Sequence, residues 1–145
     1  MIDMKLSKVG ANFLDQPHVK KKVKKSQLRV MNRQGALVRR IAQRSMRPGG
    51  VADKSSEPGE PPRTHGKRLL RKFLFYAYDP RKESVVIGPV RLSRAKGKHV
   101  PSTLEFGGRT TSRGKTRKYK PRPYMGPAFE TAKPELPQMW RNSVR

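Results

Sequence analysis

The sequence contains no cysteine among its 145 residues, which excludes a disulfide framework and any thiolate metal site. It is also poor in acids, with 10 Asp and Glu against 35 Lys and Arg, so the formal net charge is +25. So strong a positive bias predicts contact with a polyanion. Nucleic acid is the usual partner for such a chain, and an anionic membrane surface or an acidic protein are the alternatives.

Apolar residues are scarce, at 33% of the chain, whereas there are 13 prolines and 12 glycines. No stretch approaches the ~18 consecutive apolar residues of a membrane-spanning helix, and the N-terminus lacks the apolar segment of a signal peptide. We therefore expect a protein without a membrane partner that works in a soluble compartment. Its core should be small, with extended arms and loops, and neighbouring subunits should supply part of its burial.

Residue patterns that carry catalysis are also missing. The three histidines are widely spaced, without a companion at i+3 or i+4, and the ten acids are scattered singly. Neither the G-x-x-x-x-G-K-[ST] phosphate loop nor the G-x-S-x-G nucleophile turn occurs. The stretch GGRTTSRGK resembles a phosphate-binding loop only superficially, because no strand and helix flank it. The sequence thus predicts a protein that is not an enzyme and needs no cofactor or metal.

One long periodic segment predicts a helix over residues 17–47, after an extended N-terminal arm at 1–15. Its apolar and small residues recur at the spacing of a single helical face. They are Val30, Met31, Gln34, Leu37, Val38, Ile41, Ala42 and Ser45. Pro48 ends the helix, which would be about 45 Å long and bent or frayed near Gly35.

The remaining segments predict a small sheet and a second, shorter helix. In chain order they are a Pro/Gly-rich loop at 48–67, a β-hairpin at 68–90, a short mixed element, a basic loop or hairpin at 109–122, and a C-terminal helical segment at 126–142. The first strand of the hairpin, rich in aromatics, is expected to be buried on both faces. Together these segments predict a single α+β domain over 16–145. In it the long helix packs on a small, mostly antiparallel β-sheet.

Positive charge is concentrated in the helix and in the basic segment at 109–122. No acid occurs between Pro17 and Ala52, whereas an ordinary surface helix would mix in glutamates for i,i+4 pairs. Contact with nucleic acid, contact with an acidic partner and a merely solvated face remain open for the helix. The basic segment at 109–122 suits contacts to phosphates, which position a protein on DNA without reading its bases. The DNA-facing candidates are Arg33, Arg40, Arg44, Arg113, Lys115, Arg117, Lys118 and Lys120.

Two short apolar stretches, LEFGG at 104–108 and PRPYMGPAFE at 121–130, predict assembly contacts or core anchors. The candidates are Leu104, Glu105, Phe106, Gly107, Arg122, Pro123, Tyr124, Met125, Pro127 and Phe129. We expect a tight turn at LEFGG, which would place its leucine and phenylalanine in the core. Its glutamate is expected to pair with an arginine of its own chain or of a neighbour. The methionine and second phenylalanine should be buried, and Trp140 should be a core or docking anchor.

Three segments, taken in order, resemble one family of bacteriophage proteins. They are EPGEPPRTHGKRLLRKFLFYAYDPRKESVVIGPV, VPSTLEFGG and PRPYMGPAFE. Together with the preceding helix they cover roughly residues 17–135. This ordered set is similar to the tail-completion, or head-to-tail joining, proteins of the neck of long-tailed phages.

The resemblance implies a structural virion subunit with no catalytic role. Copies would form a ring, a hexamer in this reading, between the head connector or stopper and the tail terminator or tail-tube proteins. Genomic DNA would pass through the ring without sequence-specific contact. The protein would lie in the neck of the virion and in the host cytoplasm during assembly. Charge alone leaves an alternative, an RNA-binding ribosomal or ribonucleoprotein component.

Overall fold

The computed structural model describes residues 16–49, 56–64, 69–90, 100–112 and 114–144. Its helices are α1 (Gln16–Ser45), α2 (Leu69–Lys72), α3 (Val100–Phe106) and α4 (Met125–Ala132), followed by a 3₁₀ turn (Pro137–Trp140). Its strands are β1 (Leu74–Asp79), β2 (Ser84–Pro89), β3 (Gly108–Ser112) and β4 (Lys115–Tyr119). The predicted α+β class is confirmed, because α1 packs on small antiparallel sheets and a short helix lies near the C-terminus. The predicted arm at 1–15 lies outside the described residues.

Helix α1 is the element on which the rest of the fold is built. Its 30 residues correspond to a length of about 45 Å. Pro17 lies in the first turn, where the missing N–H costs nothing, and the helix ends before Pro48. One face is buried, as the periodicity predicts. The buried residues are Ser26, Val30, Gly35, Val38 and Ala42.

Gly35 allows the β1–β2 hairpin to approach α1 closely. A Cβ atom at this position would lie 2.7 Å from Cγ1 of Val85 and 2.8 Å from Cδ2 of Tyr76. The helix continues through Gly35 without a break, so the expected fraying there is wrong. The glycine is needed because valine and tyrosine side chains of the hairpin occupy the space that any larger residue would fill.

The hydrophobic core lies where the C-terminal end of α1 meets the start of β1 and helix α4. Its buried members are Ala42, Met46, Leu74, Tyr124 and Ala128. Tyr124 is only 1% exposed and is among the largest fully buried side chains. The apolar stretch at 121–130 is therefore part of the core of this small fold.

The first hairpin is shorter than predicted and is buried on one side only. Residues 69–72 form helix α2, and β1 begins at Leu74. Leu74 is fully buried, but its neighbour Phe75 is 46% exposed, so the prediction of a strand buried on both faces is wrong. The reason is that α1 covers one face of a two-stranded sheet. Arg39 of α1 contacts the same strand, since its guanidinium lies 5.7 Å from the Phe75 ring centroid and its Nε donates to the Leu74 carbonyl oxygen at 2.6 Å.

Two predicted core phenylalanines are on the surface. LEFGG is not only a turn, because its first three residues belong to α3. Leu104 packs against the core, but Phe106, two residues or about 200° further around the helix, is 82% exposed. On α4 the buried positions are Ala128 and Ala132, which leaves Phe129 46% exposed.

The C-terminal helical segment predicted at 126–142 is interrupted, as its prolines indicate. Helix α4 ends at Ala132, and the 3₁₀ turn follows at Pro137–Trp140. The side-chain amide of Gln34 donates to the carbonyl oxygen of Leu136 at 2.9 Å, which ties this region to α1. Trp140 is 40% exposed and is therefore not a core residue.

We predict that Gly35→Ala destabilises the protein by about 1–3 kcal/mol, although alanine favours helix formation. The added methyl would collide with Val85 and Tyr76. Gly88→Ala is the matched control, since a Cβ there meets nothing within 4 Å. It should change stability by no more than about 0.5 kcal/mol. Urea denaturation of both variants measures the difference, and equal stabilities would contradict the close approach.

Candidate nucleic-acid interface

The basic segment predicted at 109–122 as a loop or hairpin is for the most part a β-hairpin. Strands β3 and β4 pair antiparallel, and Gly114, with a φ of 73°, lies in the connection between them. The hydroxyl groups of Thr111 and Thr116, which are directly opposite each other, hydrogen-bond at 2.9 Å. All five residues of β4 are exposed. The basic side chains are thus presented on a regular ribbon.

The charges of this ribbon do not stabilise its fold. Arg109 lies directly opposite Lys118 in the register, and like charges at such positions disfavour strand pairing. No acid occurs between Gly108 and Tyr119. The apolar contacts of the ribbon are on its other face, where Thr110 and Tyr119 form a small cleft with α3. An anionic partner would relieve the repulsion on the free face.

The N-terminal part of α1 carries charge that opposes its own helix. Every residue from 16 to 25 is exposed, and five of them are lysines. Lys20 and Lys24, like Lys21 and Lys25, have i,i+4 spacing, at which like charges cost a few tenths of a kcal/mol. These cations also lie near the positive end of the helix dipole, which is a second unfavourable term. The attraction of a polyanion to these lysines would offset both terms.

The predicted DNA-facing residues lie mainly on these two surfaces and near the C-terminal end of α1. Those that the structure describes are exposed, namely Arg33, Arg40, Arg44, Lys115, Arg117, Lys118 and Lys120. Arg113 lies outside the described residues. Within the part of the chain that the structure describes, the one ion pair joins Lys133 to Glu130 at 3.4 Å, and both side chains are well exposed. The acids among the described residues therefore leave the charge of these basic surfaces unpaired.

Glu105 positions helix α4 and makes no ion pair with an arginine of its own chain among the described residues, so the prediction of an arginine partner within the chain is wrong; an arginine of a neighbour stays a prediction. Its Oε2 accepts hydrogen bonds from the backbone amides of Tyr124 at 2.9 Å and Met125 at 3.1 Å. Its Oε1 accepts one from the amide of Gly126 at 2.8 Å. Amides in the first turn of a helix have no partner within the helix, and a carboxylate there also interacts favourably with the helix dipole. The glutamate from α3 therefore caps α4.

Residues 121 and 122 join this capped helix to the Pro-rich segment at 56–64. The Arg122 amide donates to the carbonyl oxygen of Leu104 at 2.6 Å, and its Nε donates to the carbonyl oxygen of Ser56 at 2.8 Å. The Gly59 amide donates to the Pro121 carbonyl oxygen at 2.9 Å. The two short apolar stretches and the loop segment are thus held together at one place.

The other predicted anchors differ in how much they are buried. Tyr124 is buried, whereas Met125 is half-buried against the core. Pro123 is half-buried and Pro127 is exposed. Gly107 has a φ of 73°, and a Cβ there would lie 3.0 Å from the Tyr119 carbonyl oxygen, so this position requires glycine.

Burial, and secondly the charge of Glu105, raises the pKa of Tyr124 to about 12. Its hydroxyl therefore stays protonated at physiological pH and is unsuited to acid–base chemistry. No group of three or more His, Asp or Glu residues that could hold a metal occurs in the described ranges. Nor does any helix among them have the length and apolar content needed to cross a membrane. The chemistry that these side chains offer is ionic contact.

No protein-family model, curated protein or solved structure matches the chain. The likeness to phage neck proteins therefore depends on the ordered segments of the sequence itself.

We predict that Glu105→Ala lowers the free energy of unfolding by about 1–3 kcal/mol, because three backbone amides at the start of α4 lose their acceptor. Glu130→Ala is the matched control. It removes the same group from an exposed pair and should cost at most about 0.5 kcal/mol. Chemical denaturation monitored by circular dichroism gives both values. A Glu105 variant as stable as the control would show that the cap contributes nothing.

We also predict a loss of stability at alkaline pH that depends on Tyr124. The unfolded tyrosine ionises near pH 10.0, whereas the folded one keeps its proton to about pH 12. Its contribution to stability is therefore complete below pH 10 and is lost as the pH rises toward 12. Tyr124→Phe cannot ionise and should lack this component. Thermal unfolding of both proteins between pH 9 and about 12 tests the difference; parallel curves would contradict it.

Proposed function

We propose that this chain is a structural, non-enzymatic protein of the neck of a tailed bacteriophage. Its copies form a ring, which we take to be a hexamer, around the DNA channel. The ring lies between the head connector or stopper and the tail terminator or tail-tube proteins. In this proposal the protein assembles in the host cytoplasm and stays in the virion.

The observation that carries the proposal is the uncompensated charge of the ribbon and of α1. The chain bears +25 formal charges, and the described acids pair with almost none of them. Repulsion of this size destabilises a compact monomer and favours contact with a dense polyanion. A regular ribbon and a straight basic helix offer rows of cations without a pocket for a base. Such surfaces suit contact with DNA phosphates that is independent of sequence.

The place where the family-like segments meet favours a neck protein over a ribosomal one. VPSTLEFGG supplies Glu105, and PRPYMGPAFE supplies the three amides that it binds. These two segments, 19–21 residues apart at their contacts, depend on each other for their structure. Two of the segments that resemble the family therefore contact each other in the fold. Positive charge alone, on which the ribonucleoprotein alternative is based, would not require such a contact.

Exposed apolar side chains support assembly into a ring. Phe106 is 82% exposed, Val86 is 61% exposed and Val100 is 53% exposed. Phe106 and Val100 lie on α3 and Val86 lies on β2, so separate elements contribute them. A closed ring needs complementary patches on opposite flanks of each subunit. Burial of these side chains by neighbours would add to the small core of the single chain.

The proposal is tested by mass photometry of the purified protein with and without the connector protein encoded nearby. We expect ring-sized particles, and a complex when the connector is present. Genes for portal, capsid and tail-tube proteins in the neighbourhood would agree with this result. A strictly monomeric protein that ignores the connector and binds ribosomal RNA tightly at physiological salt would contradict it and favour the ribonucleoprotein alternative.

We predict that Arg109→Gln combined with Lys118→Gln weakens binding to duplex DNA and spares the fold, because both side chains are exposed and lie opposite each other on the free face of the ribbon. If the two residues contact phosphates, the slope of log K against log salt concentration should become shallower by about 1.8, which is about 0.9 for each lost contact. Arg81→Gln combined with Lys82→Gln, in the exposed turn of the first hairpin, removes the same charge. Fluorescence anisotropy over a range of NaCl concentrations compares the two variants. Equal losses would show that only net charge matters.

A further inference from the structure

A cleft lies between the C-terminal end of α1 and the loop segment at 56–64. It has a volume of about 380 Å³, and three arginines line it, Arg44 and Arg47 from the end of α1 and Arg63 from the loop. The acid in the lining is Glu60. This cleft is separate from the β3–β4 ribbon and from the capped start of α4. Its lining is thus strongly basic and comes from two parts of the sequence.

Backbone hydrogen bonds hold both walls of the cleft. The Thr64 amide donates to the Arg47 carbonyl oxygen at 3.0 Å, and the Gly49 amide donates to the Thr64 carbonyl oxygen at 2.9 Å. Thr64 is only 6% exposed. At its other end the segment is tied through Ser56 and Gly59 to residues 121 and 122. The backbone that carries Arg63 is therefore positioned before any ligand arrives, which lowers the entropic cost of binding.

The charge of the cleft is not explained by the fold. None of the three guanidinium groups lies within ion-pair distance of a carboxylate in the described residues, Glu60 included. A cation in the last turn of a helix interacts favourably with the helix dipole, which accounts for Arg44. It does not account for Arg47, which follows the last residue of α1, or for Arg63, which belongs to the loop. Three cations from two walls line a space that one carboxylate cannot neutralise.

The choice of arginine identifies the chemistry of the ligand. The basic residues of the exposed segment 20–25 of α1 are lysines, whereas the cations among the described residues that line the cleft are arginines. A guanidinium group donates two parallel hydrogen bonds to a phosphate, while an ammonium group acts as a point charge. We propose that this cleft binds a phosphate group through Arg44, Arg47 and Arg63. The phosphate belongs to the backbone of nucleic acid or to a free phosphate compound, and the site does not depend on the neck assembly.

The test compares Arg63→Gln with Arg141→Gln, which removes the same charge from an exposed position near the C-terminus. Binding of inorganic phosphate is measured by isothermal titration calorimetry. Binding of a DNA duplex of about 20 base pairs, which spans roughly two helical turns, is measured by fluorescence anisotropy. Arg63→Gln should weaken binding roughly tenfold, as expected for the loss of charge-assisted hydrogen bonds. Arg63→Lys should weaken it as well, because the charge remains but the two parallel donors are lost. Arg141→Gln should have little effect.

Glu60→Gln provides a test of opposite sign, with Glu135→Gln as its matched control. Removing the carboxylate from the cleft should tighten phosphate binding. The exposed Glu135 lies outside the cleft, so its substitution should leave binding unchanged.

The two probes distinguish the sources of the phosphate. Arg63-dependent binding of inorganic phosphate without binding of the duplex would support the cleft with a free phosphate compound as ligand. The same result would count against the DNA contact of the proposed function. Arg63-dependent binding of the duplex would identify the nucleic-acid backbone. Equal effects of the Arg63 and Arg141 variants, or no binding of either probe, would overturn the proposal.

Discussion

The carboxylate of Glu105 makes the contact on which the C-terminal half of the structure depends. It receives the three amides of residues 124–126, at distances between 2.8 and 3.1 Å. Through these bonds α3 fixes the start of α4, and α4 in turn supplies Ala128 and Ala132 to the buried side of the fold. In a chain with only ten acids, this one binds backbone amides and forms no ion pair with a cation among the described residues. A single carboxylate thus joins α3 to the helix that supplies part of the core.

The rest of the architecture reflects a conflict between a small core and a large charge. Buried side chains are gathered at the C-terminal end of α1, where Met46, Leu74 and Tyr124 meet. The N-terminal end of α1 and the β3–β4 ribbon, which carry many of the cations, are exposed and contribute no residue to this core. Separating charge from core limits the repulsion that a compact arrangement would suffer. It also leaves the cations accessible to a partner.

Much of the fold could be predicted from the sequence because its signals are local. The long helix follows from apolar periodicity and the absence of a breaker between Pro17 and Pro48, and the hairpins follow from strand residues around turns. The aromatic character of Phe106 and Phe129 predicts a place in the core. Their exposure depends on which face of a short helix meets α1, and no local pattern specifies that. The role of Glu105 was missed for a similar reason, since its partners are backbone amides about 20 residues away.

Gly35 illustrates how one residue type can carry opposite meanings. In isolation a glycine in a helix indicates weakness, and a bend or fraying is the natural expectation. In the folded chain it is the position where the hairpin comes closest to α1, and its lack of a side chain is what permits the contact. Had Val85 and Tyr76 been recognised as its partners, the same glycine would have indicated packing. That recognition requires knowing how strands and helix are aligned, which is a property of the whole chain.

Lysines and arginines occupy different parts of the structure, and this difference bears on function as well as on folding. Lysines occupy the exposed start of α1, where a flexible ammonium group can follow a phosphate backbone without fixed geometry. Arginines occupy the end of α1 and the wall of the cleft, where backbone hydrogen bonds hold their positions. Arg39 shows what a positioned guanidinium does within this fold, since it binds a carbonyl oxygen and packs on an aromatic ring at once. A chain that only needed positive charge could have used lysine throughout. The use of arginine near the core indicates contacts in which direction matters as much as charge.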